Sequence, residues 1–489
     1  MKYLFVIGFF IASLLWLPGA IFAETAPTSY GIFWQENTDH ILWYIDPRSH
    51  ERAYIGSQLD LRDVINRFGK TVDSATLKQN PNPLIASILV EKGVRGSIWY
   101  INETGQRVYL GNHVSGWEVF KTIAPLKSSE ELKTYNVSVR SPSWLQAPEG
   151  YASDIVAQRL PYARVLALDP AGHLVVSNTT RTGSIIALVD ADHNGSFETH
   201  KTIIADLVYP HGVLFTNGRI YVATERAIYY WPYDPVKMET VGRSKTIAQL
   251  PSSTGLGFAS EQGHRTRTLA LGSDGMIYVS IGSSCDHCEG FTAEHALIRR
   301  MDLEGKQNEI VARGLRNTVF FTQQPATGVW WGNDMGQDNL GDNMPPDELN
   351  RLEWGSNFGW PYCYADKQPT PLNAHPELCT TTLSPAGRYG AHNAPLGMRF
   401  IPPEFSFENQ GELLSSLHGS TVRSSRVGYK IVRFSFDKDN NPLGPADFIT
   451  GFLHGQTIIG RPVDLIFDTN GNLYISDDWN NVVYRVKKR

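Results

Sequence analysis

The sequence predicts an all-β chain: a six-bladed β-propeller over residues 150–489, preceded by a small α+β N-terminal domain. Three observations predict it. A hairpin pattern recurs: an apolar strand, a polar turn with glycine, then a strand of β-branched and aromatic residues. It occurs as LALDPAGHLVVSN from Leu166, VLFTNGRIYVATE from Val213, LALGSDGMIYVSIG from Leu269, FFTQQPATGVWWGND from Phe320 and LIFDTNGNLYISDD from Leu465. A degenerate sixth copy, FSFENQGELLSSLHGS, starts at Phe405. The turn glycines, Gly172, Gly218, Gly275, Gly328, Gly411 and Gly471, are separated by 46, 57, 53, 83 and 60 residues, a spacing suited to repeated blades. Finally, the C-terminal VVYRVKKR is expected to complete a blade begun near the propeller's N-terminus, a ring closure that removes open sheet edges.

The elements before the ring follow in order. Lys2, the apolar run Leu4–Leu17, Pro18–Gly19 and Ala23 read as an export signal over residues 1–23. The run is too short for an ordinary membrane span, and no later run is long enough for one. Residues 24–145 lack the hairpin pattern. Their strand-like pieces are GIFW, HILWYID, ERAYIGSQ, GSIWYIN and RVYLGNH, with an amphipathic helix placed by Leu61, Val64, Ile65 and Phe68 on one face. Val114–Ile123 fits strand or helix. The Pro/Ser/Gly content of Ser141–Gly150 reads as a linker. No chemistry is evident in this domain.

With a net charge of -5 and no internal run of Lys or Arg, nothing marks a nucleic-acid partner. The cysteines are Cys285, Cys288, Cys363 and Cys379, an even number in a chain read as exported. Local pairing, Cys285 with Cys288 and Cys363 with Cys379, is expected over the two other connectivities. A zinc knuckle lacks a second CxxC, and Glu289 stands where a haem-attachment motif needs histidine.

In a propeller the mouth is built from residues beside the innermost strands, and polar residues recur there. His264, in GHRTRTLALG, is a candidate general base. Arg316 and Asn317, in GLRNTVFF, could clamp or polarise an anionic group. His392 in AHNAPLG, His418 in LHGS and Arg461 in GRPVDL occupy similar places, joined by His211 in YPHGV and Arg164 in YARVL. Asn333–Pro395 reads as a long loop whose carboxylates, including Asp347 and Glu348, suit a hard cation.

The order of these motifs resembles the glucose/sorbosone dehydrogenase family, nearer its sorbosone-dehydrogenase-like branch. The segments that carry the likeness are GHRTRTLALGSDGMIYVSIGSSCDHC, GLRNTVFF, PPDELNRLEWGSNFGWPYCY, AHNAPLGMRF and GRPVDLIFDTNGNLYISDDWNNVVYRV. They span nearly all of 150–489 and leave residues 24–145 outside. The resemblance implies a six-bladed quinoprotein that oxidises a sugar or sugar aldehyde with pyrroloquinoline quinone (PQQ) and Ca2+. It implies that His264 takes the substrate proton, Arg316 and Asn317 contact the quinone, and Gly336 and Gln337 hold calcium through main-chain carbonyls. It places His392 and Arg461 along the quinone; His211 and Arg164 are added from their position alone.

The chain departs from the family pattern in four places. Val422 and Val463 stand where the glucose enzymes have a lysine and a second arginine, for which Arg423 or Arg164 are the available substitutes. Ser283 stands where a carboxylate orients the base, and the family's glutamine near the quinone is not evident. With no haem motif, electrons are expected to pass to an external acceptor. The competing expectations are a calcium-dependent propeller hydrolase of the lactonase type, which needs carboxylates and amides around an axial metal, and a non-catalytic binding propeller.

Overall fold

The computed structural model describes residues 30–35, 42–49, 51–55, 61, 64–65, 68–72, 86–91, 97–102, 106–111, 113–124, 126–127, 136–137, 144–190, 195–197, 199–252, 264–288, 293–371, 375–406 and 408–489. The region read as an export signal lies outside them. Among them no helix is long and apolar enough to cross a membrane.

Residues 151–488 form six four-stranded antiparallel sheets, some with a short extra strand. Their first strands are Ala163–Leu168, Val213–Thr216, Leu269–Leu271, Thr318–Gln323, Pro395–Phe400 and Pro462–Phe467. Each sheet meets the next through these strands, the third reaching the fourth through Ile277–Ile281. The cycle closes where Pro462–Phe467 meets Ala163–Leu168. The result is a β-propeller. The sixth sheet runs through Leu473–Asp477 and Val482–Lys488 and ends on Tyr151–Ala157, whose residues pair from Tyr151 with Lys488 to Ile155 with Tyr484. The C-terminus thus covers the edge that the N-terminal strand would leave open, as the ring-closure expectation required.

The hairpins form as the turn chemistry dictates. All six turn glycines have positive φ, from 68° at Gly218 to 89° at Gly172, a region that side chains disfavour. The second strands are buried along nearly their whole length because sheets pack on both faces, enclosing Val175, Val222, Val279, Leu413 and Ile475. Buried serines on second strands stitch neighbouring sheets together. Ser280 Oγ donates to Val319 O at 3.0 Å and Ser476 Oγ to Arg164 O at 2.6 Å. Ser416 Oγ does the same to Val463 O. Each such bond contributes on the order of 1 kcal/mol and keeps an otherwise unpaired buried carbonyl satisfied.

Two expectations need correction. The degenerate copy does not begin at Phe405: its first strand is Pro395–Phe400, and Phe405 is buried within the connection to Leu413–Leu417. Asn333–Pro395 is not one loop, because it supplies the third and fourth strands of its sheet, Pro346–Leu352 and Gly387–Ala391. The linker region is also docked. Gln146 bridges Thr450 in both main-chain directions, and Leu145 is buried against Ile449 and Phe452.

Before the ring lie two sheets. One is built on Gly31–Gln35, Leu42–Ile45 and Glu51–Ile55, the other on Lys70–Val72, Ile88–Glu91, Ile98–Ile101 and Arg107–Gly111. Leu61, Val64, Ile65 and Phe68 are helical and buried together with Ile32, Tyr44 and Ile88. The ambiguous stretch is an α-helix, His113–Ile123, which delivers Phe120 to the same core. This region packs on the propeller through Phe33, Trp43 and Ile45 against Ile459 and Trp144. Arg52 lies over the Trp43 ring at 4.6 Å and donates to Asn480 Oδ1 at 3.4 Å.

Candidate active site at the propeller mouth

His264 precedes the first strand of the third sheet, and two main-chain bonds hold it. Its N–H donates to Ser283 O at 3.0 Å, and Ser283 N–H donates to Arg316 O at 2.8 Å. Ser283 Oγ lies 2.8 Å from His264 Nδ1 and donates its own proton to Cys285 O at 2.6 Å. With that proton spent, the hydroxyl can only accept from the imidazole. His264 therefore carries its proton on Nδ1 and leaves Nε2 as a bare base. Burial first, then the Arg316 guanidinium, hold the imidazole well below its usual 6.5, so it is neutral at pH 7. Ser283 thus orients the imidazole without adding a charge.

Gly282 separates His264 from Asn317: a Cβ there would lie 2.6 Å from His264 Cβ and 2.7 Å from Asn317 Oδ1. Asp334, at the end of the neighbouring strand, accepts from Arg316 N at 3.0 Å, Asn317 N at 2.8 Å and Thr318 Oγ1 at 2.9 Å. Burial pushes this carboxyl up to about 6 against those bonds. The Arg316 guanidinium donates to Asp286 O at 3.0 Å and Met335 O at 3.3 Å, and pairs with Asp286 Oδ1.

A second cluster crosses from the first sheet to the fifth and sixth. Asp478 accepts from Arg164 Nη1 at 2.8 Å and lies 2.9 Å from His418 Nε2. Arg461 Nη2 lies 2.8 Å from His418 Nδ1. A guanidinium can only donate, so Nδ1 is bare and the His418 proton sits on Nε2, facing Asp478. Burial pushes the His418 imidazole down to about 4, with Arg461 and Arg164 acting in the same direction against Asp478. Burial alone would raise the Asp478 carboxyl; His418 and Arg164 outweigh it and hold it well below the carboxylate range. Arg164 is aimed here by a register shift between Ala163 and Leu166, one of four at equivalent places in the ring.

The remaining predicted residues are distributed as follows. His392 is in a left-handed conformation with φ 60°, and its Nε2 lies 2.9 Å from Gly341 O. His211 is fully buried beneath the mouth, 3.3 Å from Thr268 Oγ1 and packed on Phe320. Burial, then Arg164 and Arg267, depress its pKa. Gly336 N–H donates to Asp347 Oδ1 at 2.9 Å, and Gly336 and Gln337 line one small cavity with Arg316. Glu348, next to Asp347 on the strand Pro346–Leu352, accepts from Ala365 N at 2.8 Å. Arg423 reaches Ala391 O and Asn343 Oδ1, Val463 is in the core, and Val422 is 47% exposed. A cleft of about 670 Å3 is lined by Arg181, Tyr209, Glu225, Tyr229 and Arg265 among others; Arg265 follows His264 in the chain, and neither His264 nor His211 is among the lining residues.

Direct contact thus joins His264, Ser283, Arg316 and Asn317 in one group and Arg164, His418 and Arg461 in another. Arg164 and Arg267 act electrostatically on the histidines between them. Sequence reasoning missed Asp286, Asp334 and Asp478. Only Asp478 left a local trace, as half of an Asp pair where the strand Leu473–Asp477 ends.

Residues 145–489 match the TrAA12-like family. The chain belongs to the TrAA12-like family. An uncharacterized protein of Borreliella burgdorferi is 30% identical over 70% of this chain and 91% of its own. A pyrroloquinoline quinone-dependent sugar dehydrogenase of Hypocrea jecorina is 24% identical over 73% of this chain and 92% of its own. A pyranose dehydrogenase of Coprinopsis cinerea, also named as dependent on that quinone, is 25% identical over 70% of this chain, which spans 54% of it. Among solved structures, that of Trichoderma reesei Carbohydrate-Active Enzymes Family AA12 superposes with a TM-score of 0.62 at 23% identity, covering 72% of this chain and 99% of that one. The holo PQQ domain of the Coprinopsis enzyme gives 0.58 at 21%, covering 70% and 97%. These solved structures share the fold of the ring; the two sheets before residue 145 lie outside the family match.

Proposed function

We propose that this protein is an exported PQQ-dependent dehydrogenase that oxidises a sugar or sugar aldehyde and hands electrons to an external acceptor. Family membership and the names of its relatives support the cofactor and the substrate class. The observation that carries the reading is His264 with its proton fixed on Nδ1, beside a buried Arg316–Asn317 pair. We take the six sheets as six blades, residues 1–23 as the export signal and residues 24–145 as a small α+β domain.

The residues present fit an anionic quinone. Its carboxylates need cations, and Arg164, Arg316 and Arg461 supply them at the mouth. The Nε groups of Arg461 and Arg423 are buried without a hydrogen-bond partner among the described residues, so donors remain for a further acceptor. Arg316 and Asn317 would contact the quinone, with His392, Arg461 and Arg164 along it; His211 would support the site from below. Gly336 and Gln337 are proposed calcium ligands through their carbonyls, with Asp347 tethering Gly336. When bound, the quinone supplies a two-electron oxidant that takes hydride. His264 Nε2 accepts the proton of the substrate hydroxyl, and Ser283 keeps that nitrogen free. The charged, aromatic cleft lined by Arg265, the residue after His264, suits a polyhydroxylated substrate.

The test is titration of the protein lacking residues 1–23 with PQQ in excess Ca2+, followed by a panel of aldoses and sugar aldehydes with a redox dye. Stoichiometric quinone binding and dye reduction lost in His264→Ala are expected. Absence of quinone binding with calcium present would overturn the proposal.

A further inference from the structure

The segment Cys285-Asp286-His287-Cys288 is closed on itself by a disulfide three residues apart. A bridge this short restrains little of the unfolded chain, so its main effect is on local geometry. Its contacts converge on the proposed catalytic groups. Cys285 O takes the Ser283 hydroxyl proton, which is what forces His264 to keep its own on Nδ1. Asp286 holds Arg316 twice, through its main-chain oxygen and through Oδ1. The same carboxylate accepts from Asp338 N at 2.9 Å and Asn339 Nδ2 at 2.7 Å, anchoring the loop that follows Gly336 and Gln337. His287 Nε2 lies 2.9 Å from Pro361 O, and Cys285 and Cys288 pack with Ala296 and Trp360, so the loop is braced from behind.

We propose that this disulfide-closed loop is the positioning element of the site: it sets the tautomer of His264 through Ser283 and the placement of Arg316 through Asp286. Four residues thereby couple the base to the cation that faces the cofactor. The inference rests on the dehydrogenase reading for its meaning in catalysis, but its structural core concerns the protein without cofactor.

The test uses the protein without its export signal. Long-range 15N–1H spectra, with His264→Gln to assign the imidazole, report the tautomer in the absence of quinone. The parent protein is expected to show Nδ1–H with Nε2 bare. In the Cys285→Ala/Cys288→Ala double variant the Nε2–H form appears, and kcat with bound quinone falls by about 100-fold, within the range ascribed to a general base. Asp286→Ala keeps the disulfide and Cys285 O; the tautomer is retained while quinone binding weakens by about tenfold, a factor typical of losing a group that orients a ligand. A double variant that melts cooperatively and keeps the parent tautomer overturns the proposal. Should that variant not fold, Asp286→Ala decides: unchanged quinone affinity overturns it, and weakened affinity with the tautomer kept supports it. A tautomer change in a protein that proves inactive would sink the dehydrogenase reading and leave the role of the loop standing.

Discussion

Asp478→Asn tests the second cluster most sharply, because stability and cofactor affinity should move in opposite directions. The Asp478 side chain is only 10% exposed, so solvent screens its pairs weakly. It accepts from Arg164 Nη1 at 2.8 Å and from His418 Nε2 at 2.9 Å. An asparagine keeps one acceptor and turns an amide donor toward the other donor. Removing one partner of a buried pair costs about 3–5 kcal/mol, and that loss is expected at pH 7. The sign with pH follows from the depressed carboxyl. Its contribution is fully present above the unfolded value of 3.8 and is lost as pH falls toward the lower folded value. The gap between parent and variant should therefore be constant from about pH 5 to 8 and narrow by about 1.4 kcal/mol per pH unit below 3.8. Urea unfolding followed by tryptophan fluorescence measures it. At the same time, removing the carboxylate frees Arg164, so PQQ should bind more tightly. A variant within about 1 kcal/mol of the parent at pH 7, or a gap that ignores pH down to about 2.5, would refute the pairing.

Three other outcomes are expected. Because the His264 pKa is held well below 6.5, kcat/KM should stay level from pH 8 through 6.5 and fall only in more acid solution; an inflection at or above 6.5 in the pH–rate profile would contradict the assigned environment. Gly282→Ala places a methyl group 2.6 Å from His264 Cβ, and the forced displacement should lower kcat by about 100-fold with little change in melting temperature, read by steady-state kinetics and calorimetry. Arg52→Ala removes the buried cation over Trp43 and the bond to Asn480, and should lower the protection of the strands Gly31–Gln35, Leu42–Ile45 and Glu51–Ile55 against hydrogen exchange by about 2 kcal/mol while the propeller strands keep theirs.

The sequence carried the hairpins because both of their signals are local: alternation on a pleated strand, and a glycine where φ must be positive. The fifth sheet shows how that signal fails. The connection between Pro395–Phe400 and Leu413–Leu417 is long, and buried Phe405 within it mimics a strand residue. The pieces of the site were legible one by one, since His264, Arg316 and Arg461 stand at the repeat's polar places. Their partners were not. Arg316 is paired with Asp286 across 30 residues of chain and Arg164 with Asp478 across 314, and no periodicity links such positions. Ser283 looked like a lost carboxylate because a sequence shows which group is present but not where its proton goes. That is decided by Cys285 O, 2.6 Å away.

The way Arg164, Arg316 and Arg461 are held bears on the missing lysine and arginine of the family pattern. Counting cations suggests that a chain with Val422 and Val463 at those places binds a polyanionic quinone poorly. Yet Val463 is sealed in the core, and Val422 is at the surface, so neither marks a vacancy inside the mouth. What an anionic ligand meets is Arg316 already neutralised by Asp286, Arg164 paired with Asp478, and Arg461 held by the His418 imidazole. Its affinity is set by the difference between its own contacts and those it must share or displace, not by the number of guanidinium groups. Two arginines that are held in place without the ligand lose little freedom on binding it, whereas a long exposed lysine must be ordered first. A site with fewer cations, each fixed by a buried carboxylate or imidazole, is therefore a physically sufficient alternative to the family's usual set, with Asp286 holding Arg316 in place and Asp478 setting how much of Arg164 the ligand must share.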